Sequence, residues 1–173
     1  MIPDEELIDA ARRGDRDAFA RLYEACYPSV YRFAYFHTRT VADAEDAAAD
    51  AFLSAIENVR RFRGTAVQFT GWLIRITRNT IIDRGRKAKP QLPLEDVPDL
   101  VSHDRSGDVV ERVTLQAALA KLGDDQRSTV VMRFVLGFSS RETAQVLGKT
   151  EGAVEQLQRR GLATLAKELS VRE

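Results

Sequence analysis

Apolar residues recur three or four positions apart along most of the chain, the spacing of one face of a helix. Leu7, Ile8 and Ala11 predict a short helix over residues 4–13, ended by Gly14 and Asp15. From 15 to about 37 the same period continues through Phe19, Leu22, Tyr23, Tyr27, Val30, Tyr31 and Ala34, and Pro28 is expected to kink or split that helix. Thr40 and Asp43 suggest a capping box for a third helix reaching about 59. Its apolar side is Ala44, Ala47, Ala48, Ala51, Phe52, Ala55, Ile56 and Val59, and so many alanines imply close helix packing. Residues 60–68 contain Gly64 and no clear period, which reads as a loop. A fourth helix over about 70–84 turns Trp72, Leu73, Ile76, Thr80 and Ile81 inward.

Periodicity then lapses. Between Lys89 and Ser106 stand Pro90, Pro93, Pro98 and alternating acids, the composition of a linker. It resumes over about 109–122 with Val113, Leu115, Ala118, Leu119 and Leu122. After Gly123 and Asp124, a helix over 125–136 turns Val130, Val131, Phe134 and Val135 inward and stops at Gly137. Ser139 and Glu142 form a capping box for the next helix, which buries Ala144, Val146 and Leu147 and ends at Gly148. Thr150 can cap the last helix, with Glu151 against its positive end. Val154, Leu157, Gly161, Leu162 and Leu165 share one face of it, leaving Gln156, Arg159 and Arg160 free to point outward. No strand is needed, so the fold class is all-α: two helical domains, residues 1–89 and 109–173, joined by a flexible linker at 90–108.

Composition narrows the class. The 173 residues are 44% apolar and no apolar run approaches a membrane span, so no membrane insertion is expected. The acidic, polar start is unlike a secretory signal. A single cysteine, Cys26, allows no internal disulfide and fits a reducing, cytoplasmic compartment. With only His37 and His103 beside it, no metal site and no cofactor are expected. No Ser/His/Asp set or phosphate-cradling glycine loop appears, which argues against an enzyme.

Formal charge is zero, but its distribution is not even. From Gly71 to Lys89, Arg75, Arg78, Arg84, Arg86, Lys87 and Lys89 face Asp83 alone; from Gln91 to Glu111 there are six acids and one base, Arg105. A neutral sum suggests weak binding to bulk DNA and delivery by another protein. The last two helices have the helix-turn-helix pattern, which by itself fits DNA binding and an ordinary helical hairpin equally. The fourth helix, with Trp72, Asn79 and its arginines, suits single-stranded nucleic acid or is simply a basic surface. Asp43, Glu45, Asp46 and Asp50 read either as a solvated face or as a docking face for a basic partner.

The order of these pieces decides among them. AARRGDRDAFARLYEACYPSVYRFAY, DAEDAAADAFLSAIENVRRF and FTGWLIRITRNTIIDRGRK, followed by a linker and a helix-turn-helix, resemble the extracytoplasmic-function (group IV) sigma factors of bacterial RNA polymerase across nearly the whole chain. The run W-L-x-R-I-x-R-N-x-x-x-D from Trp72 to Asp83 is the most specific part. The resemblance implies a factor with no catalysis of its own that binds core polymerase, at its clamp and flap regions, and directs initiation from particular promoters. Its first domain would grip the clamp through Asp46, Asp50, Phe52 and Asn58. It would also read and melt the −10 element through Gly64, Thr65, Phe69, Trp72, Arg75, Arg78, Asn79 and Arg86, the loop of Gly64 to Phe69 holding a flipped base. Its second domain would read the −35 element through Thr150, Glu151, Ala153, Gln156, Arg159 and Arg160. Promoter DNA, duplex and melted, and an anti-sigma factor are the further partners implied. The linker acids Glu95, Asp96, Asp99, Asp104 and Asp108 would lie in a basic polymerase channel as a nucleic-acid mimic.

Three positions depart from the family pattern. Ala49 stands where a Gln is common, Glu155 where a Lys or Arg often begins the exposed face, and Gly161 where an Ala is common. They bear on the −35 sequence rather than on the class. The competing reading, a dimeric operator-binding regulator, calls for a ligand pocket, phosphorylation site or dimer seam in the first domain, and none is visible there.

Overall fold

The computed structural model describes residues 3–87 and 115–170. Within them every regular element is helical. The linker at 90–108, its acids and the start of the helix expected over 109–122 lie outside the described residues.

Four helices form the first bundle. Asp4 caps α1 (Glu5–Arg12) by accepting from the Leu7 amide at 2.7 Å. Asp15 caps α2 (Arg16–Tyr35) from the Ala18 amide in the same way. Pro28 does not split α2, which runs straight through it. Pro28 and Glu24 are exposed, so water can satisfy the carbonyl that loses its partner. Thr40 caps α3 (Val41–Asn58), but the box is only half made: the Thr40 hydroxyl takes the Asp43 amide and donates to the Asp43 carboxylate. Ala44, Ala47, Ala48, Ala51 and Ala55 are fully buried, which lets α2 and α4 lie close against α3. Ile56 is not on that side; it is 47% exposed.

After a turn of 3₁₀ helix at Val59–Arg61 comes α4 (Ala66–Lys87), which begins four residues before the periodicity does. The reason is distant in sequence. The Glu5 carboxylate, from α1, accepts from the Ala66 amide at 2.7 Å, and Gln68 Oε1 accepts from the Thr65 amide at 3.0 Å. Orphan donors at the helix start are thereby satisfied. Ala66, Phe69, Gly71, Leu73, Ile74 and Thr77 are the buried positions, whereas Ile76, Thr80 and Ile81 are only half-buried. The inward face is rotated from the expected one because a second bundle packs on α4 as well.

That second bundle starts with α5, of which residues 115–119 are described, and α6 (Asp124–Val130). The helix expected to continue over 125–136 changes instead to a π turn, Val131–Val135. The wider turn places Met132 fully inside and leaves Phe134, expected inward, 56% exposed. Helix α7 (Ser140–Leu147) has the full capping box between Ser139 and Glu142, and these bonds hold the Glu142 carboxyl below its usual range. Gly148 ends it in the left-handed region at φ 64°. Thr150 then caps α8 (Glu151–Ser170) through the Ala153 amide at 3.2 Å. Val154, Gly161 and Leu165 are buried, Leu157 is half-buried, and Leu162 lies out of the core at 39% exposure. A Cβ at Gly161 would stand 2.9 Å from Val130 Cγ2, so this glycine sets how closely α8 approaches α6.

One continuous apolar core passes through both bundles. His37, at the end of α2, bridges them: Nδ1 donates to the Phe33 carbonyl at 2.7 Å and Nε2 accepts from the Ser128 hydroxyl at 3.1 Å. Its pKa is pulled from 6.5 to about 3, chiefly by burial; the Phe33 carbonyl opposes this, and Arg127 and Arg78 add to it. The folded chain holds the neutral ring, so the unfolded chain takes the proton first. This contribution to stability is complete above pH 6.5 and is lost as pH falls toward 3. The loss is at most about 1.4 kcal/mol per pH unit. Thermal melts between about pH 7 and pH 4 should fall less steeply for His37→Gln than for the parent, and parallel curves would refute the assignment.

Candidate nucleic-acid interface

The loop before α4 is held from beneath by α1. The Arg12 guanidinium donates to the Gly64 carbonyl at 2.9 Å and lies 5.4 Å above the Phe62 ring. Phe62 in turn packs against Phe69 and Trp72, with ring centroids 5.3 and 5.0 Å away. Gly64 is close-fitted here, since a Cβ would come within 2.6 Å of the Phe62 ring. Arg12 and Glu5 were not legible as site residues, because their partners are 52 and 61 positions away. Above the loop opens a cleft of ≈ 460 Å³, with Phe62, Gly64, Thr65, Gln68, Trp72 and Arg75 on one side and α7 on the other.

At about 100° per residue, Gln68, Trp72, Arg75, Asn79 and Arg86 fall within about 60° of one another on α4. This stripe leads out of the cleft. Arg75, Asn79 and Arg86 are exposed, Trp72 is half-buried, and Arg78 stands beyond the edge, partly covered. An apolar ring, an amide and several guanidinium groups in a row can stack a base, read its edge and hold phosphates. Phe69, expected among these residues, does not belong with them. It is 1% exposed and points into the core, so it supports the loop from behind.

The α3 residues divide in the same way. Asp46 and Asp50 point outward, where both meet Arg84 of α4; Arg84 Nε donates to Asp50 at 3.0 Å, and Nη1 lies 3.9 Å from Asp46. Such an exposed pair is worth at most about 1 kcal/mol, so a partner's cation can replace Arg84. Leu53 shares the stripe of these acids and is 63% exposed; Ile56, 47% exposed, lies one turn further on at the edge of that stripe. Leu53 was open to detection, being seven positions after Asp46 and so on its stripe. Phe52 is buried against Tyr23 and Tyr27 and offers no docking surface; Asn58 donates to the Ser54 carbonyl of its own helix at 2.8 Å.

On α8, Gln156 and Arg159 lie opposite the buried face, with Arg160 and the half-buried Ala153 on its flank and Glu151 and Thr150 exposed at its start. Neither Arg159 nor Arg160 is in an ion pair with another described residue. Glu155 is exposed among them. Cys26 is buried, and burial pushes its thiol pKa up. Among the described residues no three His, Cys, Asp or Glu side chains gather as metal ligands, and no helix is long and apolar enough to cross a membrane.

Known proteins share this arrangement. Residues 22–91 match Sigma-70 region 2, and residues 112–165 match Sigma-70, region 4. The ECF RNA polymerase sigma factor SigM of Mycobacterium tuberculosis is 40% identical over 166 residues, covering 95% of this chain and 83% of SigM. The ECF RNA polymerase sigma factor BldN of Streptomyces coelicolor is 35% identical over 169 residues; the match takes in 94% of this chain but 64% of BldN, just under two thirds of its length. The solved structure of CnrH in complex with the cytosolic domain of CnrY superimposes with a TM-score of 0.78 at 25% identity, covering 98% of this chain and 99% of CnrH. With both regions matched in order and the helices of each region in place, this chain belongs to the ECF RNA polymerase sigma factors.

Proposed function

We propose that this sigma factor binds core polymerase through the outward acids of α3, Asp46 and Asp50, with the exposed Leu53 on the same stripe. It melts and reads the −10 element with the α4 stripe and the Gly64–Thr65 loop, and reads the −35 element with Gln156, Arg159 and Arg160. The observation that carries this is the stripe of Gln68, Trp72, Arg75, Asn79 and Arg86 leading out of a cleft at a fixed loop. A flipped base costs a few kcal/mol, which a stacking ring and a positioned amide can offset. The chain carries no catalytic group of its own; the polymerase makes the bonds. It works in the cytoplasm, where core polymerase and promoter DNA are. An anti-sigma protein restrains it; CnrH, which shares the fold, is found in complex with the cytosolic domain of another protein, CnrY, and a partner of that kind fits this chain by analogy.

Run-off transcription with purified core polymerase over a library of promoter fragments tests this reading. The protein alone is expected to bind duplex DNA weakly, yet to direct core polymerase to specific starts. Asn79→Ala should slow opening, followed by permanganate reactivity, and relax −10 choice while polymerase binding stays intact. Tight dimeric binding to an operator without polymerase would refute the reading, and normal opening in Asn79→Ala would make that amide structural only.

A further inference from the structure

Two stretches far apart in the chain bring their arginines to one corner of the first bundle. Residues 12–16 and 60–63 carry six arginines and one acid, Asp15. The first stretch turns from α1 into α2, and the second begins in the 3₁₀ turn that packs against α1. At the first, Gly14 has φ 93°, and a Cβ there would stand 2.9 Å from Arg60 Nη2, so the Arg60 guanidinium rests on the glycine. Arg63 Nη1 donates to the Arg60 carbonyl at 2.7 Å and to the Phe62 carbonyl at 3.2 Å, which folds that guanidinium back over the 3₁₀ turn. Arg13, Arg16, Arg60, Arg61 and Arg63 are exposed, and none is in an ion pair with another described residue. Asp15 caps α2, and even with the exposed acids Asp17 and Glu57 at its edges the corner keeps an excess of positive charge. Like charges held together on a fixed turn repel one another, and an anion from outside would relieve them.

The corner adjoins the loop before α4. Arg63 immediately precedes Gly64, and Arg12, the neighbour of Arg13, reaches the Gly64 carbonyl at 2.9 Å. We infer that the corner is a further DNA contact, in which Arg13, Arg60 and Arg61 hold the sugar-phosphate backbone of the melted non-template strand on the 3′ side of the −10 element. The inference rests on the −10 reading of the loop and α4. The side follows from the course of the chain. Beyond Lys87, α4 leads to the domain assigned to the −35 element, which lies upstream of −10. The end of α4 with Arg86 is therefore the upstream end, and the loop with its arginine corner is the downstream end. The exposed side chains of 12–16 and 60–63 include no aromatic ring and no amide, so the corner grips phosphates and reads no base. Its task is to keep the melted strand from pairing again once a base is seated in the pocket beside it. The two halves of the corner are separated in the chain by the whole of α2 and α3, so no single stretch of sequence displays it.

The test uses the full chain assembled with core polymerase. The triple variant Arg13→Gln/Arg60→Gln/Arg61→Gln removes the charges and touches no residue of the α4 stripe. Circular dichroism checks its fold, and competition for core polymerase checks its assembly. Fluorescence anisotropy then reads three single-stranded non-template oligonucleotides: the −10 element alone, the element extended on its 3′ side, and the element extended on its 5′ side. The variant is expected to match the parent on the first and the third. On the 3′-extended strand its dependence of log affinity on log salt should be shallower by about 2, since each phosphate contact on a single strand contributes about 0.7. The deficit of the variant is then about fifteenfold larger at about 50 mM than at about 200 mM salt. Lysine at the same three positions should restore the slope, because a phosphate needs the charge and not the guanidinium. An equal loss on all three strands, a loss confined to the 5′ extension, weaker assembly with core polymerase at unchanged oligonucleotide binding, or no change at all would each overturn the inference. If the triple variant does not fold, Arg13→Gln/Arg61→Gln decides, with a slope change of about 1.4. A scrambled strand separates the two readings. A parent that binds it as well as the −10 strand removes the −10 assignment and this inference with it, whereas a parent that prefers the −10 strand confines any failure to the arginine corner.

Discussion

Phe69→Ala is expected to destabilise the N-terminal bundle by about 3–5 kcal/mol, the cost of emptying a buried aromatic site. The ring is 1% exposed, meets Phe62 edge-on and also touches Trp72, whose ring centroid is 5.4 Å away. Phe62 carries the loop that Arg12 holds at Gly64, so the cavity would open directly under the proposed −10 pocket. Promoter opening is therefore lost with the fold, not through a missing base contact. Phe69→Leu separates the two causes, since it refills much of the volume without an aromatic face: stability and opening should both largely return. Trp72→Ala is the complement. Trp72 is half-buried, and its loss should appear mainly as about 1–3 kcal/mol of base stacking, measured as slower opening. A Phe69→Ala protein with an unchanged melting temperature and defective opening would mean that the ring leaves the core to meet the DNA.

On the −35 side the largest effect should come from Arg160→Ala, at about 1–3 kcal/mol of discrimination if the guanidinium pairs with both acceptors of a guanine. That is about five- to 150-fold in use of a −35-dependent promoter. Arg159→Ala should weaken binding more evenly across sequences and reduce the salt slope by about one, as a phosphate contact does. Both side chains are exposed and in no ion pair with a described residue, so neither change should move stability by more than about 0.5 kcal/mol. Transcription from matched promoters with and without a −35 element checks this. Equal activity of both variants and parent on the −35-dependent template would remove them from the interface.

How much of this was open to a reader of the chain depends on the range of each interaction. The all-α class, the ends of α1 and α7, the start of α8 and the outward place of Arg159 and Arg160 follow from caps and periods that act within one or two turns. Ser139 and Glu142, or Gly148, carry their own instructions. The order of motifs placed the chain in its family for a similar reason, since a run such as Trp72 to Asp83 keeps its spacing whatever packs on it. Periodicity put Phe52 on the apolar side of α3, where the structure buries it, but as a docking residue it was misplaced; which of the two aromatics Phe69 and Trp72 faces the cleft was decided by the tertiary structure alone. That depends on which helices cover α4. The tertiary structure also decided that Glu5 and Arg12 hold the loop before α4, and that Arg75 and Arg78 meet the second bundle. Those partners stand 47 to 71 residues apart. Local periodicity marks a face as polar or apolar, but what meets that face depends on how distant helices are brought together by one shared core.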